Sequence, residues 1–195
     1  MDDLQREKYD ALATRKISAP KYIDVESLQA LGMCDDVNSL LGHLGWSDYV
    51  HLQFPVYEKL VWEFFSSITI DTTGEYHNEC CYIHFWLGDL THEMNLAQFS
   101  ELLQLPSGGT DDFIHMDYSR SEFWVKITCH DQPCISHSSK ATFMCNPILR
   151  YLQRLTANIV FPPFDSQGVP RRGELFILWA ALNRVCIYTA FHILT

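Results

Sequence analysis

Apolar and polar positions along the chain alternate with two different periods. The clearest helical period lies in PVYEKLVWEFFSSI, where Tyr57, Leu60, Val61, Phe64 and Ile68 share one face and Trp62 and Phe65 widen it. Pro55 suits a first helical turn, where its missing N–H costs nothing. This pattern predicts a largely buried helix. Upstream, residues 2–16 predict a polar helix whose apolar stripe is only Leu4, Tyr9 and Leu12, so its ends fray. Pro20 then forces an extended stretch. Asp24 caps a short helix closed by Gly32, and Asp35 or Asp36 starts a second that Gly45 ends, a pair resembling a helical hairpin.

The period changes to two after Ile68. SITID and CCYIHFWL are aromatic and β-branched, with Cys81, Ile83, Phe85 and Leu87 alternating against Tyr82, His84 and Trp86. They predict a small β-hairpin around residues 67–87 with one face on the core. Asn95 and Gln98 form a capping box for LAQFSELLQL, which Pro106 and Gly108-Gly109 end. SEFWVKI (121–127) reads as a short helix or a strand; Ser119 or Ser121 would cap the helix. Asn146-Pro147 opens a helix with Leu149, Leu152, Leu155 and Ile159 on its apolar face, and FPPFDSQGVPRRG is a turn-rich connection. The fold class is therefore mainly α (α+β): a polar N-terminal helix over 1–16, then one domain over 17–195.

The last segment, ELFILWAALNRVCIYTAFHILT, has the length of a membrane span. Asn183-Arg184 at its centre and His192 near its end argue against that, since a central Arg costs roughly 2.5–3.5 kcal/mol on insertion. It reads as a buried core helix, or as two helices broken near Asn183. The apolar pattern runs to Thr195 with no cap, which reads as a truncated frame.

Charge and cysteines narrow the chemistry. Net charge is −10, with 14 Lys and Arg against 24 Asp and Glu. A surface that tracks phosphates needs clustered cations, so the balance argues against nucleic-acid binding. Arg150, Arg154, Arg171, Arg172 and Arg184 would have to fold onto one face to reverse that reading. The seven cysteines follow no regular framework, and the polar start lacks the apolar core of a signal peptide. They read as reduced thiols in an intracellular protein, cytoplasmic or nuclear.

The densest Cys and His stretch is CHDQPCISHSSKATFMC, residues 129–145. Its zinc candidates are Cys129, Cys134, His137 and Cys145, spaced C-x4-C-x2-H-x7-C. A retroviral-type knuckle is C-x2-C-x4-H-x4-C, so no interval matches, and basic neighbours are few. No metal or other cofactor is expected. Cys80-Cys81 would alternate strand faces and suit neither a bridge nor a metal pair. G-x-S-x-G and H-E-x-x-H are absent. SGGTDD (107–112) lacks the Lys and hydroxyl residue of a phosphate loop, and Asp111-Asp112 reads as a solvated pair. The chain reads as not an enzyme.

Five segments in order carry a resemblance: RKISAPKYIDVESLQALG, GWSDYVHLQFPVYEKLVWEFFSSI, FWLGDLTHEMNLAQFSELLQLPSGG, SKATFMCNPILRYLQRLTANIVF and GELFILWAAL. Together they resemble the plant retrotransposon ORF-1 family of the Athila lineage, a Gypsy-type long-terminal-repeat element, also described as a plant transposon protein domain. A weaker similarity is to the plant mobile domain. The resemblance implies a position like the gag region, no transferable catalytic residues, no obligatory metal ligands in the Cys129 loop, and self-association or binding to another element-encoded protein. The plant mobile domain would instead imply a host-domesticated nuclear regulator working with DNA or chromatin. Relatives continue past the ELFILW helix, which leaves the packing partner of residues 175–195 in question.

Overall fold

A computed structural model describes residues 2–71, 81–110, 115, 117–128, 134, 139–161 and 168–194. The polar N-terminal stretch forms α1 (Asp3–Ala13). Its entry is fixed by a reciprocal cap: the Gln5 N–H donates to Asp2 at 2.7 Å and the Asp2 N–H donates to the Gln5 side chain at 3.0 Å. No α1 residue is buried. Asp24 caps α2 (Val25–Ala30), accepting from the N–H and the hydroxyl of Ser27 at 3.0 and 2.6 Å. Those bonds hold its carboxyl below the ordinary carboxylate value. The next helix, α3 (Cys34–Leu44), starts slightly before Asp35 and Asp36, which sit in its first turn. Gly45 ends it at φ +70°, beside the Pro106 ring, where a Cβ would clash.

The fourth helix departs from expectation. Pro55 and Val56 stay outside the helix, Tyr57 is its extended N-cap, and α4 runs Glu58–Ser67. Its buried residues are Glu63, Ser66 and Ser67, whereas Tyr57, Leu60 and Phe65 are 62, 42 and 60% exposed. Backbone hydrogen bonding explains the reversal. The chain leaves α4 directly into β1 (Thr69–Asp71), which pairs antiparallel with β2 (Tyr82–Leu87) from Thr69↔His84 onward. Two positions further on, the residue opposite Trp86 is Ser67, already helical. The Ser67 hydroxyl takes over, accepting from the Trp86 N–H at 2.8 Å. The Glu63 carboxylate accepts from the Gly88 N–H at 2.9 Å. Both N–H groups lie beyond the last β1–β2 ladder pair and find their acceptors on α4, so the polar edge faces the sheet and much of the bulky edge turns outward. Phe64 still reaches Phe85, edge to face at 5.0 Å, and α1 rests on Trp62 through Tyr9 at 6.1 Å.

The sheet gains a strand not expected from the pattern, β3 (Leu90–Asn95), in the order β1-β2-β3. Gly88 and Asp89, at φ +55° and +71°, make the two-residue turn between β2 and β3, whose positive angles match the twist of a hairpin. The expected hairpin is the β1–β2 pair, with Cys81, Ile83 and Phe85 buried. Its connection lies in 72–80, outside the described residues, as does Cys80.

Asn95 and Gln98 cap α5 (Leu96–Leu102) as the pattern predicts. SEFWVKI is helical, within α6 (Arg120–Thr128), and the Ser119 hydroxyl accepts from the Glu122 N–H at 3.4 Å. Asn146 caps α7 (Pro147–Ile159) with Pro in its first turn. The C-terminal segment divides into α8 (Arg172–Asn183) and α9 (Thr189–Leu194), with Arg184 in the left-handed region at φ +54°. No described helix is long and apolar enough to cross a membrane.

The core is centred on α8, whose residues from Gly173 to Ala181 are all buried. It packs against α3, α6 and α7. Each large apolar side chain so buried contributes about 1.5–3 kcal/mol, and the partners of residues 175–181 are found within this chain. Two links tie the α9 end in, the first of them fully buried. Trp46 Nε1–H donates to the Thr189 hydroxyl at 2.8 Å. Thr110 accepts from the Tyr188 N–H at 2.9 Å and donates to Cys186 at 3.1 Å. Gly109, at φ +127°, sits so close that a Cβ would lie 2.6 Å from the Ile187 carbonyl carbon. It is a close-approach residue as well as a helix stop.

Candidate functional site

The zinc candidates are only partly placed. Cys129 and His137 lie outside the described residues, and so do Asp111 and Asp112. Cys134 and Cys145 have separate partners: Cys134 Sγ accepts from Arg120 at 3.3 Å, and the Cys145 thiol donates to the Thr128 carbonyl at 3.2 Å. Among the described residues, no group of three His, Cys, Asp or Glu could hold a metal ion. Cys34, Cys81, Cys134 and Cys186 are free thiols. Burial pushes the Cys81 thiol up, helped by the Asp71 charge, which disfavours the reactive thiolate.

The five arginines do not all gather: Arg150 and Arg154 stand one turn apart on α7, and Arg184 lies well away from Arg171 and Arg172. Arg171 and Arg172 stand at the start of α8 and Arg184 at its end, a separation of about 18 Å along the axis. Arg154 and Arg171 do share a small cavity of about 30 Å³ with Lys21, Gln153 and Glu174. Glu174 is buried there. It accepts from Gln153 Nε2 at 2.7 Å and from the Arg171 N–H at 3.2 Å, with the Arg171 guanidinium at 3.8 Å. Burial nevertheless pushes its carboxyl above the usual value, since removal from water outweighs those partners. This cluster locks α7 to the start of α8.

The most distinctive surface is apolar and lies on α4 with the segment before it. Tyr57, Val61 and Phe65 form a row at i, i+4 and i+8, with Leu60 beside it and Phe54 and Val56 leading in. Phe54 is 65% exposed and Val56 43%. At ~200 Å² for a whole aromatic side chain, the exposed shares of Phe54, Val56, Tyr57, Leu60 and Phe65 come to roughly 500 Å². That falls within the roughly 300–600 Å² of the largest patch on an ordinary monomer, often a functional one. It also approaches the ~800 Å² that each partner buries in a standard interface. Helical periodicity revealed this apolar face but assigned it to the core. The opposing signal was Glu63, Ser66 and Ser67 at i, i+3 and i+4, a polar set beside a strand.

A family model described as the ATHILA ORF-1 family matches residues 2–190. No curated protein and no solved structure matches the chain.

Proposed function

The chain belongs to the ATHILA ORF-1 family and is a retrotransposon-derived domain; we propose that it is non-catalytic and acts by protein association, pairing with copies of itself or with another protein of the same element. The observation that carries this reading is the row of exposed Tyr57, half-buried Val61 and exposed Phe65, with exposed Leu60 beside it. Aromatic side chains on a helix face desolvate well and lose little freedom on contact, so such rows suit interface cores. The polar residues that would normally face water on this helix are occupied by the sheet. Net acidity favours a protein partner over a nucleic-acid one. Phe65→Glu tests the site. A charge at the centre of a desolvated patch disfavours docking, and because Phe65 is exposed the fold tolerates it. The variant should melt as the parent does yet lose association in chemical cross-linking. Retained cross-links in Phe65→Glu and in Tyr57→Glu would remove the α4 face from consideration.

A further inference from the structure

A second surface lies on α7, away from the α4 row. A groove of about 290 Å³ runs between the extended segment at Lys21-Tyr22 and the helix residues Tyr151, Arg154, Leu155 and Ile159. Tyr22, Tyr151, Leu155 and Ile159 give it apolar walls, and Lys21 and Arg154 give it a cationic rim. The Lys21 ammonium donates to the neutral Asn158 Oδ1 at 2.9 Å. None of the ion pairs among the described residues involves Lys21 or Arg154. The Asp24 carboxylate acts on Tyr151 but is taken up by the N–H and hydroxyl of Ser27, so the two cations beside the apolar trough leave its rim net positive and complementary to negative charge.

We propose that this groove docks a peptide segment in which an Asp or Glu adjoins a large apolar residue. The carboxylate takes charge-assisted bonds from Arg154 and Lys21, and the apolar side chain lies against Tyr22, Tyr151 and Leu155. A nucleic acid is the poorer occupant. It would meet Lys21 and Arg154, with Arg150 one turn away and Arg171 already paired to Glu174, and would bring many phosphates to a chain of net charge −10.

Selection of a phage-displayed random dodecapeptide library on the full chain tests the proposal. Selected peptides should converge on an acidic residue beside Leu, Phe or another large apolar side chain. Affinity of a synthetic winner should fall at least about tenfold for Arg154→Glu. A peptide with Lys in place of the acid should bind the Arg154→Glu chain better than the original peptide does. Both cations are at the surface, so unchanged melting of Arg154→Glu and Lys21→Glu certifies the fold. Winners without an acidic residue, affinities indifferent to both substitutions, or an empty selection would overturn the proposal. Displacement of the winner by oligo(dT) with higher affinity would overturn it in favour of single-stranded nucleic acid.

Discussion

Thr189→Val perturbs a single buried hydrogen bond that joins the two ends of the fold. Trp46 and Thr189 are both fully inaccessible, and the indole N–H donates to the Thr189 hydroxyl at 2.8 Å across 143 positions of sequence. Valine keeps the shape and removes the acceptor. The indole N–H is left in a dry core, which costs about 1–3 kcal/mol. A chain of this size loses about 2–4 °C of Tm per kcal/mol, so a drop of roughly 2–12 °C is expected by thermal denaturation. Thr156→Val is the control. Thr156 is equally buried, but its hydroxyl donates to the Leu152 carbonyl one turn back in its own helix. Its loss orphans no donor and should cost less than about 1 kcal/mol. Trp46→Phe made in both backgrounds isolates the pair, and the two substitutions should couple by about 1 kcal/mol. A Thr189→Val chain that melts with the parent, or a coupling of zero, would refute the claim that α9 is pinned into the core.

Further outcomes follow from the same contacts. Gly109→Ala places a Cβ against the 186–187 backbone at a positive φ, so it should destabilise by more than about 1 kcal/mol, whereas Gly88→Ala, with open space around it, should cost only backbone strain; equal losses in urea denaturation would contradict this. Burial raises the Glu174 carboxyl above 4.5, so its contribution to stability is full below that value and is lost as pH rises through the higher folded-state value. Glu174→Gln should flatten that decline in a Tm-versus-pH series, and an unchanged slope would show that Glu174 is not its source. Chelation by EDTA should leave the Tm unchanged. Stoichiometric zinc in the purified chain, lost in Cys145→Ser, would revive a metal site at Cys129, Cys134, His137 and Cys145.

Local chemistry was the most legible part of the fold. Asn95 with Gln98, Asp24 with Ser27, and Asn146-Pro147 each announce a helix start because the side-chain acceptor and the orphan N–H lie within three residues of each other. The break in the C-terminal apolar segment was likewise readable at Asn183-Arg184. Two features were not. Gly88-Asp89 is a recognisable two-residue hairpin turn, yet LTHEMN has too few β-branched or aromatic residues to stand out as β3. The α4 face went wrong for a deeper reason. Periodicity finds the apolar side of a helix but not which side a neighbouring strand requires. Here the unpaired N–H groups of Trp86 and Gly88 recruit Ser67 and Glu63, and that tertiary demand overrides the hydrophobic stripe. The same reversal exposes the proposed association surface, which periodicity places in the core.

Molar mass in solution, by light scattering behind gel filtration over a wide concentration range, tests the central claim most directly. Association through α4 predicts a mass that rises above 22.6 kDa with concentration to a defined oligomer, and that returns to the monomer value in Phe65→Glu. A mass of 22.6 kDa at every concentration would contradict self-association, and an oligomer indifferent to Phe65→Glu would contradict the α4 row as its seat.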